Sequence, residues 1–423
     1  MYALVDCNNF YCSCERVFAP HLEKRPVMVL SNNDGCVVAR SEEVKALGIE
    51  MGTPAFLLEP QVKEHRIAVF SSNYTLYGDM SDRIMKLLST FAPCQEIYSI
   101  DETFLDLNTM PYTDLLKLGV TMRQTIGQYT GIPVTVGIAN TKVLAKMANR
   151  YAKKNHRDTG VYWAANNQLV RRMLDYTQVA DIWGIGPRYA ALLQEHGFRT
   201  AADFAKAPDD WVRKHLSVVG LRLLYELRGI PNYEWQPDLK PKKNICTSRS
   251  FGTMLTSKED MAAAVTSYAA NCARKLRNQH SYCKSLQVFI KTHSHRTDLP
   301  QYGAGIVLDM DTPANDTLQL VKYALQGLDL IYRPGYQYKR CGVMVLDLVP
   351  ETVVQTNLFT HTTNTKTRRL METMDSINDL LGKDTVRLAV QGYEKKHALR
   401  ARHLSPCYTT RISDVCKINI DAL

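Results

Sequence analysis

The sequence predicts a multidomain protein of the α/β (α+β) class. Short apolar runs alternate with helical patterns in the order of a βαββαβ sheet. A proline-punctuated break near residue 240 precedes a second set of strands and helices, and 423 residues of 45% hydrophobic composition suffice for several cores.

Tyr2 to Val5 is an apolar strand running into Asp6. Asn9 to Phe18 reads as a short helix stopped before Pro20, and Val27 to Leu30 as a second strand of the same layer. Residues 31–73 form a small separate module containing a helix from Ser41 to Leu47, ended by Gly48. The main layer resumes with a helix over Tyr74 to Phe91, two strands around a turn over Glu96 to Leu107, a helix over Leu115 to Tyr129 and a strand over Val134 to Ile138. Its helices are expected on one face. Thr141 caps a further helix, along which Lys142, Lys146 and Lys153 recur at roughly helical spacing, and short helices with turns fill residues 166–238.

Pro231, Pro237 and Pro241, with charged residues between them, make Tyr233 to Lys243 the best linker in the chain. Beyond it, strands over Cys246 to Phe251, Lys284 to Lys291, Gly305 to Leu308 and Gly342 to Leu348, with helices over Glu259 to Gln279 and Asn315 to Ile331, form a second α/β unit. After Pro350 the pattern weakens, and a partly flexible tail is expected.

The net charge of +10 is unevenly placed. Residues 1–239 carry 26 Lys and Arg against 26 Asp and Glu, residues 240–350 carry 15 against 8, and residues 351–423 carry 11 against 8. The excess in the second half suits an anionic polymer. The eleven cysteines include no C-x-x-C pair, so buried thiols are expected rather than a zinc site or a disulfide framework. No run of about 18 apolar residues marks a membrane span, and a reducing cytoplasm is the expected compartment.

The chemistry is read from three acids. Asp6 closes one strand and Asp101-Glu102 interrupt another between Ile97-Tyr98-Ser99-Ile100 and Thr103-Phe104-Leu105-Asp106-Leu107. Neighbouring residues of a regular strand face opposite sides of the sheet, so convergence of these carboxylates requires a turn or bulge at this point. Three acids brought together repel unless cations lie between them. Hard oxygen ligands suit Mg²⁺, so the expected site holds two Mg²⁺ ions and performs phosphoryl transfer. Phe10 and Tyr11 follow Asp6 closely enough for a ring to press on the sugar of a bound nucleotide; packing of the helix onto the sheet is the alternative, as strong for Phe10 and weaker for Tyr11.

Gly184-Ile185-Gly186-Pro187, between two short helices, has the pattern of a helix-hairpin-helix whose backbone approaches a phosphate, and equally of a plain helix connection. The downstream basic segment favours the first. There Arg249, Arg274, Lys275 and Arg277, with Lys284 and Lys291 bracketing a strand, are read as a phosphate-tracking surface in preference to a merely solvated face.

Asp6, Phe10-Tyr11 and Ser99-Ile100-Asp101-Glu102 resemble a Y-family, lesion-bypass DNA polymerase. Ser31 to Arg40 and Ser71-Ser72-Asn73-Tyr74 resemble its UmuC type, the catalytic subunit of bacterial DNA polymerase V, and the resemblance covers nearly the whole chain. It implies a right-hand polymerase with a ferredoxin-like palm at 1–30 and 74–165, fingers at 31–73, a helical thumb with the hairpin at 166–238, a linker at 239–243, an α/β little finger at 244–350 and a tail at 351–423. It further implies Asp6, Asp101, Glu102 and the backbone carbonyl of Cys7 as metal ligands, Tyr11 as the sugar-discriminating residue, and Lys45 and Lys153 as contacts to the incoming triphosphate. The chain departs from a common family pattern in having Glu42-x-x-Lys45 where many members have Tyr-x-x-Arg.

In the tail, Gln355-Thr356-Asn357-Leu358-Phe359 looks like a sliding-clamp binding peptide, with Gln355, Leu358 and Phe359 as its contacts. The implied partners are primer-template DNA, deoxynucleoside triphosphates, the β sliding clamp, a processed UmuD-type dimer and a RecA filament. The implied activity is error-prone translesion synthesis in the SOS response, in the bacterial cytoplasm at the nucleoid. A nucleotidyl cyclase would share the palm and its acids but needs no hairpin, basic domain or clamp peptide. A non-catalytic DNA-binding scaffold is the remaining alternative.

Overall fold

A computed structural model of the chain describes residues 1–109, 114–236, 241–352, 365–394 and 396–416. Two compact units are present: Met1–Leu239 together with Ala401–Leu423, and Lys240–Arg400.

The first unit opens with strand β1 (Tyr2–Cys7) and helix α1 (Phe10–Phe18), which starts from Asn9 in the left-handed conformation at φ 48°. Strands β2 (Val27–Leu30) and β3 (Val37–Arg40), helices α2 (Glu42–Ala46) and α3 (Glu59–Glu64), and strand β4 (Ala68–Ser71) follow. β2 pairs antiparallel with β3 and parallel with β4, so Val27–Leu30 is the middle of a separate three-stranded sheet and not part of the main layer. Val27 and Val29 face the main core while Met28 and Leu30 face the small one. A strand covered on both faces is apolar throughout, and such a run does not reveal which sheet it joins.

The main layer continues with α4 (Tyr74–Leu88), capped by the Asn73 side chain, β5 (Cys94–Ile97), β6 (Glu102–Asp106), α5 (Leu115–Thr130), β7 (Val134–Ala139), α6 (Lys142–Asn155) and β8 (Val161–Trp163). The sheet order is β5-β6-β1-β7-β8, with β1 antiparallel to both neighbours and β7 parallel to β8. Ala3, Val5 and Leu105 face a core shared with α1, α4 and α5. Leu4 and Phe104 face the opposite core, so helices cover both sides rather than one. The second cover is α6, capped by Thr141 Oγ1. Its backbone lies so close to β7 that a Cβ at Gly137 would stand 2.1 Å from the Asn149 nitrogen. That contact fixes the height at which the lysines of α6 reach the end of β1.

Helices α7 (Asn167–Tyr176), α8 (Pro187–Glu195), α9 (Ala201–Ala205) and α10 (Asp209–Leu227) pack their apolar faces into the α6 core. The second unit contains β9 (Ile245–Leu255), α11 (Lys258–Asn278), β10 (Ser281–Thr292), β11 (Gly303–Ala314), α12 (Thr317–Ile331) and β12 (Tyr338–Pro350). Its sheet runs β11-β10-β12-β9 with antiparallel neighbours, and α11 and α12 pack together against it. The strands are longer than their apolar cores suggest, because outward residues alternate along them, most clearly in β11.

The expectation of a partly flexible, weakly patterned tail is corrected over its described residues. Thr365–Leu381 form helix α13, whose Met371 is buried, and residues 401–416 belong to the first unit. Periodicity alone missed α13 because few of its residues are buried; ion pairs supply much of its attachment. The proposed clamp peptide, Gln355, Leu358 and Phe359 included, lies outside the described residues.

Candidate active site

The end of β1 sets the position of the acids. Asp6 stands opposite Glu102 of β6 and Thr135 of β7. The next residue, Cys7, donates its backbone N–H to the carbonyl of Asp101 at 2.8 Å, which fixes Asp101 beside the strand end. Ser99 makes the required turn: its Oγ accepts from the N–H groups of Asp101 (3.2 Å) and Glu102 (3.0 Å) and donates to Asp101 Oδ1 (2.5 Å). Asp101 therefore lies in a bend, with Glu102 opening β6.

The electrostatics reflect burial first and like charge second. Burial pushes the Asp6 carboxyl up to about 7; Lys153 opposes the rise, and proton sharing with Glu102 adds to it. The buried Cys7 thiol is held well above its ordinary range by burial first and then by the charges of Asp6 and Asp101, with a smaller part from Glu102. All three acids thus act on one point at the strand end.

Two lysines face these acids. Lys153 Nζ pairs with Asp6, and Lys146 Nζ pairs with Glu102 Oε2 at 2.6 Å. Seven residues apart on α6, they stand on one face two turns from each other. Lys146 also lies over the Tyr98 and Trp183 rings, at 4.7 and 5.1 Å from their centroids. It joins this site although sequence reasoning, which places Lys142, Lys146 and Lys153 at helical spacing, assigns a phosphate contact on this helix to Lys153 alone; the seven-residue spacing was the available signal. Lys142, one turn earlier, pairs instead with Glu96 in the interior.

Among the described residues no group of three or more His, Cys, Asp or Glu stands in metal-holding arrangement. The lysines take oxygens that a metal would use. The donor set nevertheless fits hard cations: carboxylate oxygens predominate, and three carboxylates at this end of the sheet face two lysines.

Tyr11 is half-buried on α1. Its ring stacks on Tyr77 with centroids 4.3 Å apart and planes 15° from parallel, and meets the edge of Tyr74. Burial raises its phenol pKa, and the nearby charges of Tyr74 and Asp101 add to this. Phe10 is corrected: its ring is 4% exposed and packs into the core of the main layer, so it anchors α1 and offers no open face to a sugar. Lys45 is exposed on α2, and its Nζ donates to Asn9 Oδ1 and Glu42 Oε1, both at 2.6 Å. Asn9 ties α2 to the loop after Asp6, which brings Lys45 to this end of the sheet, while Glu42 absorbs part of its charge.

Gly184, at φ +98°, makes the turn before α8, and Gly186 is the helix N-cap with Pro187 following. Both glycines are exposed. In the second unit the basic residues divide. Lys275 is exposed, with Nζ 3.3 Å from Thr247 Oγ1, and Arg249 lies half-buried on β9. Arg274 pairs with Asp379, and Arg277 forks onto Asp375 at 2.6 and 2.8 Å while also donating to the carbonyl of Asn315. The expectation of a phosphate-tracking surface over six cations is narrowed accordingly: Arg277 is a largely buried link to α13, and its charge is already neutralised.

A palm-like sheet with acids at the end of its central strand, joined to a helical region and to a second α/β unit, defines a Y-family polymerase fold. The chain belongs to the impB/mucB/samB family. The model of that family matches residues 5–150, its C-terminal domain matches residues 242–358, and a domain of unknown function, DUF4113, matches residues 368–418. Protein UmuC of Salmonella typhimurium is 43% identical over 99% of this chain and 100% of its own length. A solved Y-family DNA polymerase chimera of Dbh and Dpo4 superposes with a TM-score of 0.65 at 21% identity, covering 82% of this chain and 99% of that one. The insertion ternary complex of Dbh DNA polymerase, also 21% identical with the same coverage, gives 0.55. The chain is a DNA-directed DNA polymerase of error-prone translesion synthesis, of a family whose members are generally metal-dependent. No helix among the described residues is long and apolar enough to cross a membrane.

Proposed function

We propose that Asp6, Asp101 and Glu102, with the Cys7 carbonyl, hold two Mg²⁺ ions for transfer of a deoxynucleotide to a primer 3′-hydroxyl, with release of pyrophosphate. The single observation carrying this reading is the pairing of Asp6 opposite Glu102 with Asp101 bonded to the adjacent backbone. When bound, the ions supply activation of the attacking oxygen and neutralise charge on the triphosphate. The residues of the chain do the positioning. Tyr11 lies beneath the sugar and excludes a 2′-hydroxyl by contact. Lys153 and Lys45, placed beside Asp6 and Glu42, would contact the phosphates of the incoming nucleotide, and Lys146 balances Glu102.

Gly184 and Gly186 bring the hairpin backbone to a DNA phosphate. Arg249 and Lys275 track the backbone from the second unit, with Arg274 contributing where Asp379 releases it. Gln355, Leu358 and Phe359 dock on the β sliding clamp, and a processed UmuD-type dimer and a RecA filament complete the active assembly in the SOS response of the bacterial cytoplasm. The test is primer extension by the full chain, with and without those accessory proteins, using the Asp101→Asn variant. Extension is expected to fall by at least about 10³-fold, the scale at which loss of a charge-stabilising group acts, with primer-template affinity unchanged. Wild-type extension in that variant rejects the acid assignment.

A further inference from the structure

The residues behind Tyr11 form a polar support that the catalytic reading does not use. Glu15 lies one helical turn beyond Tyr11 on α1 and is 1% exposed. Among the described residues no lysine or arginine makes an ion pair with it; its Oε1 accepts hydrogen bonds from Tyr77 OH at 2.6 Å and Ser405 Oγ at 3.0 Å. Burying a carboxylate without a cation is costly, so this arrangement persists against a simpler apolar core. Tyr77 is itself fully buried, and its ring is the one stacked on Tyr11.

Ser405 is held in turn. It sits in a strap, residues 402–408, that runs past the end of β4 and the start of α4. Asn73 Nδ2 donates to the carbonyl and hydroxyl of Ser405 (2.9 and 3.0 Å) and to the carbonyl of Pro406 (3.2 Å). Ser71 exchanges bonds with His403, Asp34 accepts from the Arg402 N–H, and Tyr408 stacks on Phe18 at 4.7 Å. Asp34, Ser71 and Asn73 lie in the two motifs that mark the UmuC type in the sequence. In the folded chain both motifs bind the strap.

We propose that the strap is a positioning element for sugar selection, acting through Ser405, Glu15 and Tyr77 on the ring of Tyr11. This rests on the reading of Tyr11 as the sugar-contacting residue. Discrimination by contact depends on where the ring stands. Tyr77 is the surface on which the Tyr11 ring packs, and its hydroxyl bonded to a buried carboxylate fixes where that surface stands and so how far the Tyr11 ring can retreat. Tyr77, Glu15 and Ser405 touch no reacting atom; they are positioning residues.

The test compares single-nucleotide insertion of ribo- and deoxynucleotides opposite one undamaged template base, by kcat/KM, in the full chain with its accessory proteins. Tyr11→Ala serves as reference. Tyr77→Phe keeps the stack and loses only the hydroxyl. It is expected to raise the ribo-to-deoxy ratio about fivefold, the size of effect that loss of one hydrogen bond produces, with deoxynucleotide insertion within about twofold of wild type. Ser405→Ala is expected to act in the same direction, and Ser405→Thr to restore selection. Added to Tyr11→Ala, neither change raises the ratio further, since the ring they position is gone.

Unchanged ratios in Tyr77→Phe and Ser405→Ala, while Tyr11→Ala relaxes selection, overturn the inference and leave the reading of Tyr11 intact. Unchanged selection in Tyr11→Ala instead removes the reading on which it rests. Should Tyr77→Phe fail to fold, the Ser405 pair decides alone.

Discussion

Helices α6 and α11 both carry basic residues at helical spacing, and their fates differ. On α6, Lys146 and Lys153 pair with acids at the end of β1 and the start of β6, where three carboxylates face two lysines. On α11, Arg274 and Arg277 are paired with Asp379 and Asp375 of α13. One row of cations faces a cluster of carboxylates from two strands of the sheet and the bend that precedes β6; the other fastens a C-terminal helix. A basic stripe thus says little until the acids facing it are known. In α6 those acids lie on strands close to one another, and in α11 they lie about a hundred positions further along the chain.

The largest effect that separates the two helices is the response of stability to pH. The folded pKa of Asp6 is about 7 against an ordinary 3.8, so the fold retains a proton that the unfolded chain releases. The resulting cost is absent below about pH 4, grows as pH rises toward 7 and is constant above it, reaching a few kcal/mol at most. Wild type without metal is therefore expected to lose Tm between pH 5 and 7.5 more steeply than Asp6→Asn, and Mg²⁺ at pH 7.5 to restore Tm in wild type alone. Parallel pH profiles for the two proteins in thermal melts would show that Asp6 is not under such stress.

Removing the opposite anchor has a smaller, purely structural effect. Arg277→Ala leaves the largely shielded Asp375 without its partner, at a cost of about 2–3 kcal/mol, near or below the lower end of the range for breaking a buried pair. Urea unfolding is expected to report that loss while nucleotide KM stays at its wild-type value. A raised KM with unchanged stability would put Arg277 in substrate binding and erase the contrast with α6.

The legibility of these regions follows the distance over which their contacts act. Asp6 and Asp101-Glu102 are readable because strands flank each acid, and even the turn they require is foreshadowed by Ser99, two and three residues away. Thr141 announces the start of α6 through a cap made within three residues. By contrast, Val27–Leu30 looks like any buried strand, and only its register with Ala68–Ser71 reveals its sheet. The role of Arg277 depends on Asp375, 98 positions away, and Glu15 finds its partners 62 and 390 positions away. Phe10 and Tyr11 are adjacent aromatics in the sequence; the phase of α1 on the sheet decides that the first is core and the second is half-buried against Tyr77 and Tyr74. Local chemistry announces itself in a sequence, whereas the fate of a charge or ring that meets a distant segment is set by packing.

The finest distinction lies within α11, between Arg277 and its exposed neighbour Lys275. Counterion release makes the slope of log affinity against log salt a count of phosphates neutralised, at about 0.9 per contact on duplex DNA. Lys275 has no acidic partner among the described residues and only a long contact to Thr247, so it is available to a phosphate. Lys275→Ala is expected to lower the slope by about one and to weaken primer-template binding a few-fold at moderate salt, equally for different sequences. Arg277→Ala, at a temperature where it stays folded, is expected to leave the slope unchanged, because its charge is already matched by Asp375. Fluorescence anisotropy across a salt series measures both. Equal slopes for Lys275→Ala and wild type would place the DNA on another face of the second unit, and the charge excess of residues 240–350 would then mark solubility rather than grip.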